Sequence, residues 1–242
     1  MHVLGIIPAR YNSLRFPGKP LVDIGGKSMI ERVYNQAKKC NLLSELYIAT
    51  DDNRIFSKVR SFGGNVIMTG QYNSGTERCY ALFKHLKKKF DVIINIQGDE
   101  PFINPEQISQ LADCFLDKNT AIATLAKQIK TAEQLFDENI VKVMFDKNNF
   151  ALNFSRLATT QPKSFDVKKW FVVNKFYKHI GIYGYSPKAL EKICELEPTK
   201  RELSERLEQL RWLENGYKIK VGITTFESIS VDVPKDIEKL KL

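Results

Sequence analysis

Apolar positions in the first hundred residues alternate between two rhythms. Val3 to Pro8 is a short, nearly continuous apolar run, which predicts a buried strand. Met29, Ile30, Val33, Tyr34 and Ala37 recur at helical spacing, and Leu46 to Thr50 is strand-like again. Ile55, Val59 and Phe62 predict a second helix, closed by Gly63-Gly64. Val66 to Met68 is a short strand, and Cys79, Leu82, Phe83 and Leu86 mark a third helix. Asp91 to Ile96, rich in β-branched residues, is a strand that ends at Gln97-Gly98-Asp99-Glu100-Pro101. Between the first strand and the first helix, Ala9 to Lys27 reads as a polar, glycine-containing loop. This alternation predicts an α/β fold: a mainly parallel sheet with helices on both faces. Such sheets hold ligands beyond the carboxyl ends of their strands. Pro8 to Lys19, Thr50 to Asp52 and Gln97 to Pro101 all come after strands, so their polar residues should gather on one edge.

The second half is less regular. Strands are expected over Val141–Phe145, Phe150–Phe154, Ile180–Tyr185 and Lys218–Ile223. One helix is expected over Leu203–Asn215, stopped by Gly216, and Pro234 to Leu240 opens with proline at a helix start. There is no repeat, no low-complexity segment and no Pro/Ser-rich linker, so residues 1–242 read as a single domain.

With 43% apolar residues in 242, the chain can bury a sizeable core. The apolar stretch at the N-terminus is too short for a secretion signal and runs at once into Arg10 and Arg15. No run approaches the roughly 18–20 apolar residues needed to cross a bilayer. The expectation is a cytoplasmic protein with no membrane insertion. Four scattered cysteines (Cys40, Cys79, Cys114, Cys194) form no CxxC pair and suggest neither zinc nor redox chemistry. A net charge of +9 suits nucleic acid, an anionic surface or anionic small substrates. Nucleic acid is not expected, because no strand pair interleaves aromatic and basic residues. The longest basic run, Lys87-Lys88-Lys89, falls at the end of a predicted helix, where cations suit the dipole.

Candidate chemistry begins in the first loop. Ala9-Arg10-Tyr11-Asn12-Ser13-Leu14-Arg15-Phe16-Pro17-Gly18-Lys19-Pro20-Leu21 gathers three cations, with Gly18 beside Lys19 where a missing side chain lets an anion reach the backbone. Triphosphate binding needs this combination of cations and backbone N–H groups. The loop is neither a Walker A motif nor GxGxxG, and from its residues alone a basic surface loop fits equally. Asp99 comes just after a predicted strand, and Asp232 lies between a strand and a helix. At either place an acid serves as a turn or N-cap residue or as a ligand. Ser74 with Glu77 three residues later forms a capping box at a helix start. His179 alone is open between packing and function, and Glu208 alone reads as a solvated helix charge.

The loop resembles the N-terminal signature of the CMP-Kdo synthetases among the sugar nucleotidyltransferases, roughly ARYxSxRxPGKPL, with every fixed position present. The likeness continues in order through Ala49-Thr50-Asp51-Asp52, Met68-Thr69, Ser74-Gly75-Thr76-Glu77-Arg78 and Asn95-Ile96-Gln97-Gly98-Asp99-Glu100-Pro101. It runs on through Phe154-Ser155-Arg156, Lys178-His179-Ile180-Gly181-Ile182-Tyr183, Leu207-Glu208-Gln209-Leu210-Arg211 and Val231-Asp232-Val233-Pro234.

The resemblance implies a Rossmann-like nucleotidyltransferase sheet and a cytidylyltransferase that joins CTP to an acidic eight-carbon sugar, Kdo, for lipopolysaccharide synthesis. It implies Mg2+ held by Asp99 and Asp232. Nucleotide binding falls to Ala9, Arg10, Ser13, Arg15, Lys19, Ser74, Gly75, Thr76 and Arg78, with Arg10 and Lys19 on the triphosphate. Sugar binding falls to Gln97, Arg156, His179, Glu208 and Gln209. Residues 150–185, rich in aromatics, match a projecting lobe with a dimer contact, so a homodimer is expected. Three departures stand out. The family's second arginine after Arg156 is absent and Lys163 is the nearest cation; Val233 stands where the family has threonine; and Thr199-Lys200-Arg201-Glu202-Leu203 replaces an SPLE-like stretch. The first leaves room for 8-amino-Kdo or another ulosonic or sialic acid as the sugar, or for a non-catalytic nucleotide-binding relative.

Overall fold

A computed structural model describes residues 1–13, 15–158, 170–171, 174–227 and 229–240. β1 (Val3–Ala9) is followed by a 3-10 turn at Lys19–Leu21, a hairpin of β2 (Asp23–Ile24) and β3 (Lys27–Ser28), and α1 (Met29–Ala37). Next come β4 (Leu43–Thr50), α2 (Asn53–Ser61), β5 (Val66–Met68), α3 (Gly75–Leu86) and β6 (Val92–Asn95). The second half adds α4 (Pro105–Asp113), β7 (Ile122–Ile129), α5 (Ala132–Phe136), β8 (Lys142–Phe145), β9 (Ala151–Ser155) and β10 (Phe176–Tyr185). It closes with α6 (Pro187–Cys194), α7 (Lys200–Glu205), α8 (Gln209–Glu214), β11 (Ile219–Thr224) and a 3-10 turn at Pro234–Lys239.

The main sheet runs β11-β7-β10-β6-β1-β4-β5. It is parallel except for β10, which is antiparallel to both neighbours. Alternation along β1 shows why both faces are covered. Leu4 and Ile6 enter one apolar cluster with α3 and α6, while Val3, Ile7 and Ala9 enter the other with α1 and α4. From β1 the chain winds outward to β4 and β5, then returns to place β6 on the other side of β1. The carboxyl ends of β1 and β6 therefore flank a topological switch point, the usual crevice of an open α/β sheet.

Within residues 150–185, β10 lies inside the main sheet, paired along β7 and β6. Most of the chain between β9 and β10, including Lys163 and Phe165, falls outside the described residues. The single helix expected over Leu203–Asn215 is broken. Arg206 takes left-handed backbone angles (φ 56, ψ 47) and ends α7. The apolar spacing was misleading because Leu203 is 65% exposed, whereas Leu207 and Leu210 are buried. The break lets Arg211 fold back onto Glu202, Nε to Oε2 at 2.8 Å, and turns Glu208 inward.

Candidate active site

Gly98 brings the ends of β1 and β6 together. A Cβ built on it would lie 2.7 Å from the Pro8 carbonyl oxygen, so only glycine lets the chain pass and deliver Asp99 to the crevice. The tail is tied to the same place. Val231 N–H donates to the Asp99 carbonyl (2.9 Å), and the N–H groups of Asp232 and Val233 donate to the Asp236 carboxylate (2.9 and 3.0 Å). Gly18, at φ 74, turns the first loop so that Lys19 faces both acids. The Lys19 ammonium lies 2.7 Å from Asp99 and 3.5 Å from Asp232, and Arg15 pairs with Asp232 at 2.9 Å. Two carboxylates from distant parts of the chain thus aim at one cationic point.

On one side of this point lies a basic cavity of about 440 Å3. Ala9, Arg10, Ser13, Arg15, Lys19, Ser74, Gly75 and Arg78 are all on its wall. Arg78 is not a free cation. It is 3% exposed, and its guanidinium donates to Asp51 (3.0 Å), Thr69 Oγ1 (2.8 Å) and the Gly70 carbonyl (3.2 Å). It fixes the turn that presents Tyr72 and Asn73, two wall residues the sequence reading did not single out; Arg206 is a third. Ser74 does cap α3, accepting from Glu77 N–H at 3.1 Å, but the Glu77 carboxylate accepts from Asn73 N–H, one residue before the expected partner.

On the other side lies a cavity of about 520 Å3, with Gln97, Arg156, His179, Glu208 and Gln209 on its wall. Thr76, assigned from sequence to the nucleotide group, lines this cavity instead and donates to the Glu208 carboxylate at 2.8 Å. Burial raises the Glu208 pKa, against the pull of that hydrogen bond. Gln97 donates to the Gly181 carbonyl at 2.7 Å. Gly181 belongs to a bulge in β10, where the register with β7 slips between Ile180 and Tyr183. Thr124 fills the bulge, its hydroxyl lying 2.8 Å from the Ile182 carbonyl and 3.0 Å from His179 Nε2. Burial pushes the His179 imidazole down to about 3, so the ring is neutral in ordinary buffers and offers a hydrogen bond rather than a charge. Arg156 donates to the carbonyls of Glu205 and Glu138, both at 3.3 Å. Lys178, which shares Glu227 with Lys127, adds a cation that sequence reasoning passed over although it adjoins His179.

Four residues, Gly75, Gln97, Asp99 and Asp232, line both cavities. A basic cavity and a polar one, meeting at two acids beyond the carboxyl ends of an α/β sheet, define a nucleotidyltransferase-type site.

Comparison with known proteins narrows this class. The cytidylyltransferase family model matches residues 4–219. A 3-deoxy-manno-octulosonate cytidylyltransferase of Parabacteroides distasonis is 51% identical over 99% of this chain and 96% of its own length. One of Bacteroides thetaiotaomicron is 49% identical over 98% of this chain and 96% of its own. A solved CMP:2-keto-3-deoxy-manno-octonic acid synthetase complexed with CTP matches with a TM-score of 0.90 at 37% identity, covering 99% of this chain and 96% of the other. A putative glucose-1-phosphate thymidylyltransferase from Bacillus anthracis shares the fold alone, with a TM-score of 0.65 at 18% identity, covering 98% and 93%. The chain belongs to the cytidylyltransferase family, among the 3-deoxy-manno-octulosonate cytidylyltransferases.

Among the described residues no helix is long and apolar enough to cross a membrane, and all four cysteines are free thiols.

Proposed function

We propose that this chain couples CTP to the anomeric hydroxyl of Kdo, giving CMP-Kdo and pyrophosphate. The observation that carries this reading is the shared wall: the smaller cavity takes the nucleotide, the larger one the sugar, and Asp99 and Asp232 stand where the two substrates meet. Arg10, Arg15 and Lys19 neutralise the triphosphate, and Ser13, Ser74 and Gly75 shape its cradle. Arg156 faces the sugar carboxylate, while Gln97, neutral His179, Glu208 and Gln209 take its hydroxyls. The sugar oxygen bonds to the α-phosphorus, the bond to pyrophosphate breaks, and the hydroxyl proton passes to water. Holding both substrates in line supplies much of the rate.

The donor set fits Mg2+. Two carboxylates converge on one point, and among the described residues no cluster of three or more His, Cys, Asp or Glu could form a closed cage. Magnesium takes one or two carboxylates and completes its shell with phosphate oxygens and water. Held by Asp99 and Asp232, it would offset charge on the phosphates and the departing pyrophosphate.

We further propose a cytoplasmic homodimer. Phe136 is 49% exposed yet packs its ring 5.7 Å from that of Trp170, and Leu157, next in the chain to the Ala158 that packs on the Trp170 cluster, is 60% exposed, an apolar margin suited to a second copy.

The test is pyrophosphate release with each of four NTPs against Kdo, 8-amino-Kdo and a sialic acid, with and without EDTA. CTP with Kdo should be the best pair, and EDTA should abolish turnover until Mg2+ is restored. Asp99→Asn or Asp232→Asn should lower turnover about a thousandfold or more while leaving the fold intact. Faster turnover of another pair, or full activity in EDTA, refutes the assignment.

A further inference from the structure

One side of the larger cavity is the segment from Asn139 to Val141, and Arg156 rises beside it. What joins them is Lys142, the first residue of β8, which is 4% exposed. Lysine is almost never this buried unless paired. Here the ammonium donates to two backbone carbonyls, those of Asp137 (2.7 Å) and Arg156 (2.6 Å). Lys142 stands opposite Ser155 on β9 and Lys178 on β10, where the three strands meet beneath the cavity. The Arg156 guanidinium in turn donates to the Glu138 carbonyl of the same segment at 3.3 Å. Arg156 is therefore held at both ends: its carbonyl by Lys142, its side chain by the segment Lys142 also holds.

The electrostatics point the same way. Burial lowers the Lys142 pKa; Asp137 and Glu138 oppose that shift, and the Arg156 charge adds to it. Lys178, the remaining cation on the adjoining strand, is already paired with Glu227. Two neighbouring cations that repel one another beside a cavity gain from an arriving anion. An apolar residue would fill the same space without that field and would leave two carbonyls without donors.

We propose that Lys142 is a positioning residue for the acidic sugar: it fixes the Arg156 peptide against the Asp137–Val141 segment and so sets where the guanidinium meets the sugar carboxylate. This rests on the larger cavity being the sugar site.

The experiment is steady-state pyrophosphate release by the full chain, varying Kdo at saturating CTP and the reverse. Lys142→Met should raise the KM for Kdo about tenfold or more, the scale set by losing charge-assisted hydrogen bonds, with the KM for CTP within about twofold. Because Lys142 acts through Arg156, the double variant Lys142→Met/Arg156→Gln should be no worse for Kdo than Arg156→Gln alone. Lys142→Arg, which keeps charge and donors, should recover part of the loss. In the unsubstituted protein, the KM for Kdo should climb as pH rises toward the ordinary lysine range, and this climb should vanish in Lys142→Arg; that readout stands even where Lys142→Met fails to fold. Equal rises in both KM values, or a KM for Kdo that is flat with pH, overturn the proposal. Should Arg156→Gln raise the KM for Kdo while Lys142→Met does not, only the role of Lys142 falls. Should Arg156→Gln leave the KM for Kdo unchanged, the placement of the sugar falls with it.

Discussion

Adding a single methyl group at Gly98 tests the geometry of the crevice. Gly98 has no positive φ, so alanine is permitted by the backbone and only space opposes it. The new Cβ would sit 2.7 Å from the Pro8 carbonyl oxygen, whereas ordinary contact begins near 3.4 Å, so the chains must part by about 0.7 Å. Pro8 cannot yield easily, because β1 is hydrogen-bonded to β4 on one side and β6 on the other. The turn at Gln97–Asp99 is held by separate hydrogen bonds, Gln97 to the Gly181 carbonyl and Val231 N–H to the Asp99 carbonyl, rather than by strand ladders on both sides, so it moves instead and carries Asp99 with it. Overpacking of this kind costs about 1–3 kcal/mol of stability. For a chain of this size that lowers Tm by roughly 2–12 °C. A displacement approaching 1 Å costs up to about a hundredfold in rate. Gly98→Ala should therefore lower kcat for pyrophosphate release by roughly ten- to a hundredfold at saturating substrates, while the melt stays cooperative. A kcat within twofold of the parent, with unchanged KM for CTP, would show that Asp99 is not positioned by this contact.

Two further predictions concern the supports of the larger cavity. Arg211 and Glu202 form a buried bidentate pair (2.8 and 2.5 Å) that clamps α7 to α8, so Arg211→Met strands a buried carboxylate and should cost about 3–5 kcal/mol in a urea melt; a loss below about 1 kcal/mol would refute the clamp. His179 binds no proton in the folded state until about pH 3, whereas the unfolded chain takes one up near pH 6.5. Stability should thus fall as pH drops through that window, and His179→Gln should fall less steeply; identical Tm-against-pH curves for the two proteins would contradict a neutral, half-buried imidazole.

Much of the first half was legible because strand and helix periods there are clean. The runs at Val3–Pro8 and Val66–Met68 became β1 and β5 almost residue for residue. Other signals were present but went unread. Asn104-Pro105-Glu106-Gln107 has an N-cap, a proline at the first turn and a capping box, and it opens α4. Ser186-Pro187 opens α6 in the same way, with the Ser186 hydroxyl accepting from Ala189 N–H. β7 and β10 lie in the sheet interior, and the sequence reading missed the first entirely and the N-terminal half of the second.

At the site, residue types and their order named the candidates, but not their state. Thr76 and Arg78 sit two positions apart on α3, yet one donates to Glu208 in the larger cavity and the other is locked under Tyr72's loop. Helical position alone does not say which cavity a side chain enters. Glu208 looked like a solvated charge because the spacing from Leu203 to Leu210 imitates one continuous helix. The left-handed turn at Arg206, which is not a glycine, left no mark in the sequence.

By itself, the sequence determined what short-range physics and local chemistry can encode: alternating periods, a cationic glycine turn, caps, and acids placed after strands. Only the tertiary structure decided that Asp99 and Asp232 aim at one ammonium, that His179 is neutral, and that Lys142 lies beneath Arg156. Those facts depend on contacts between residues far apart in the chain and on the loss of water around them, and neither is written in any local window of residues.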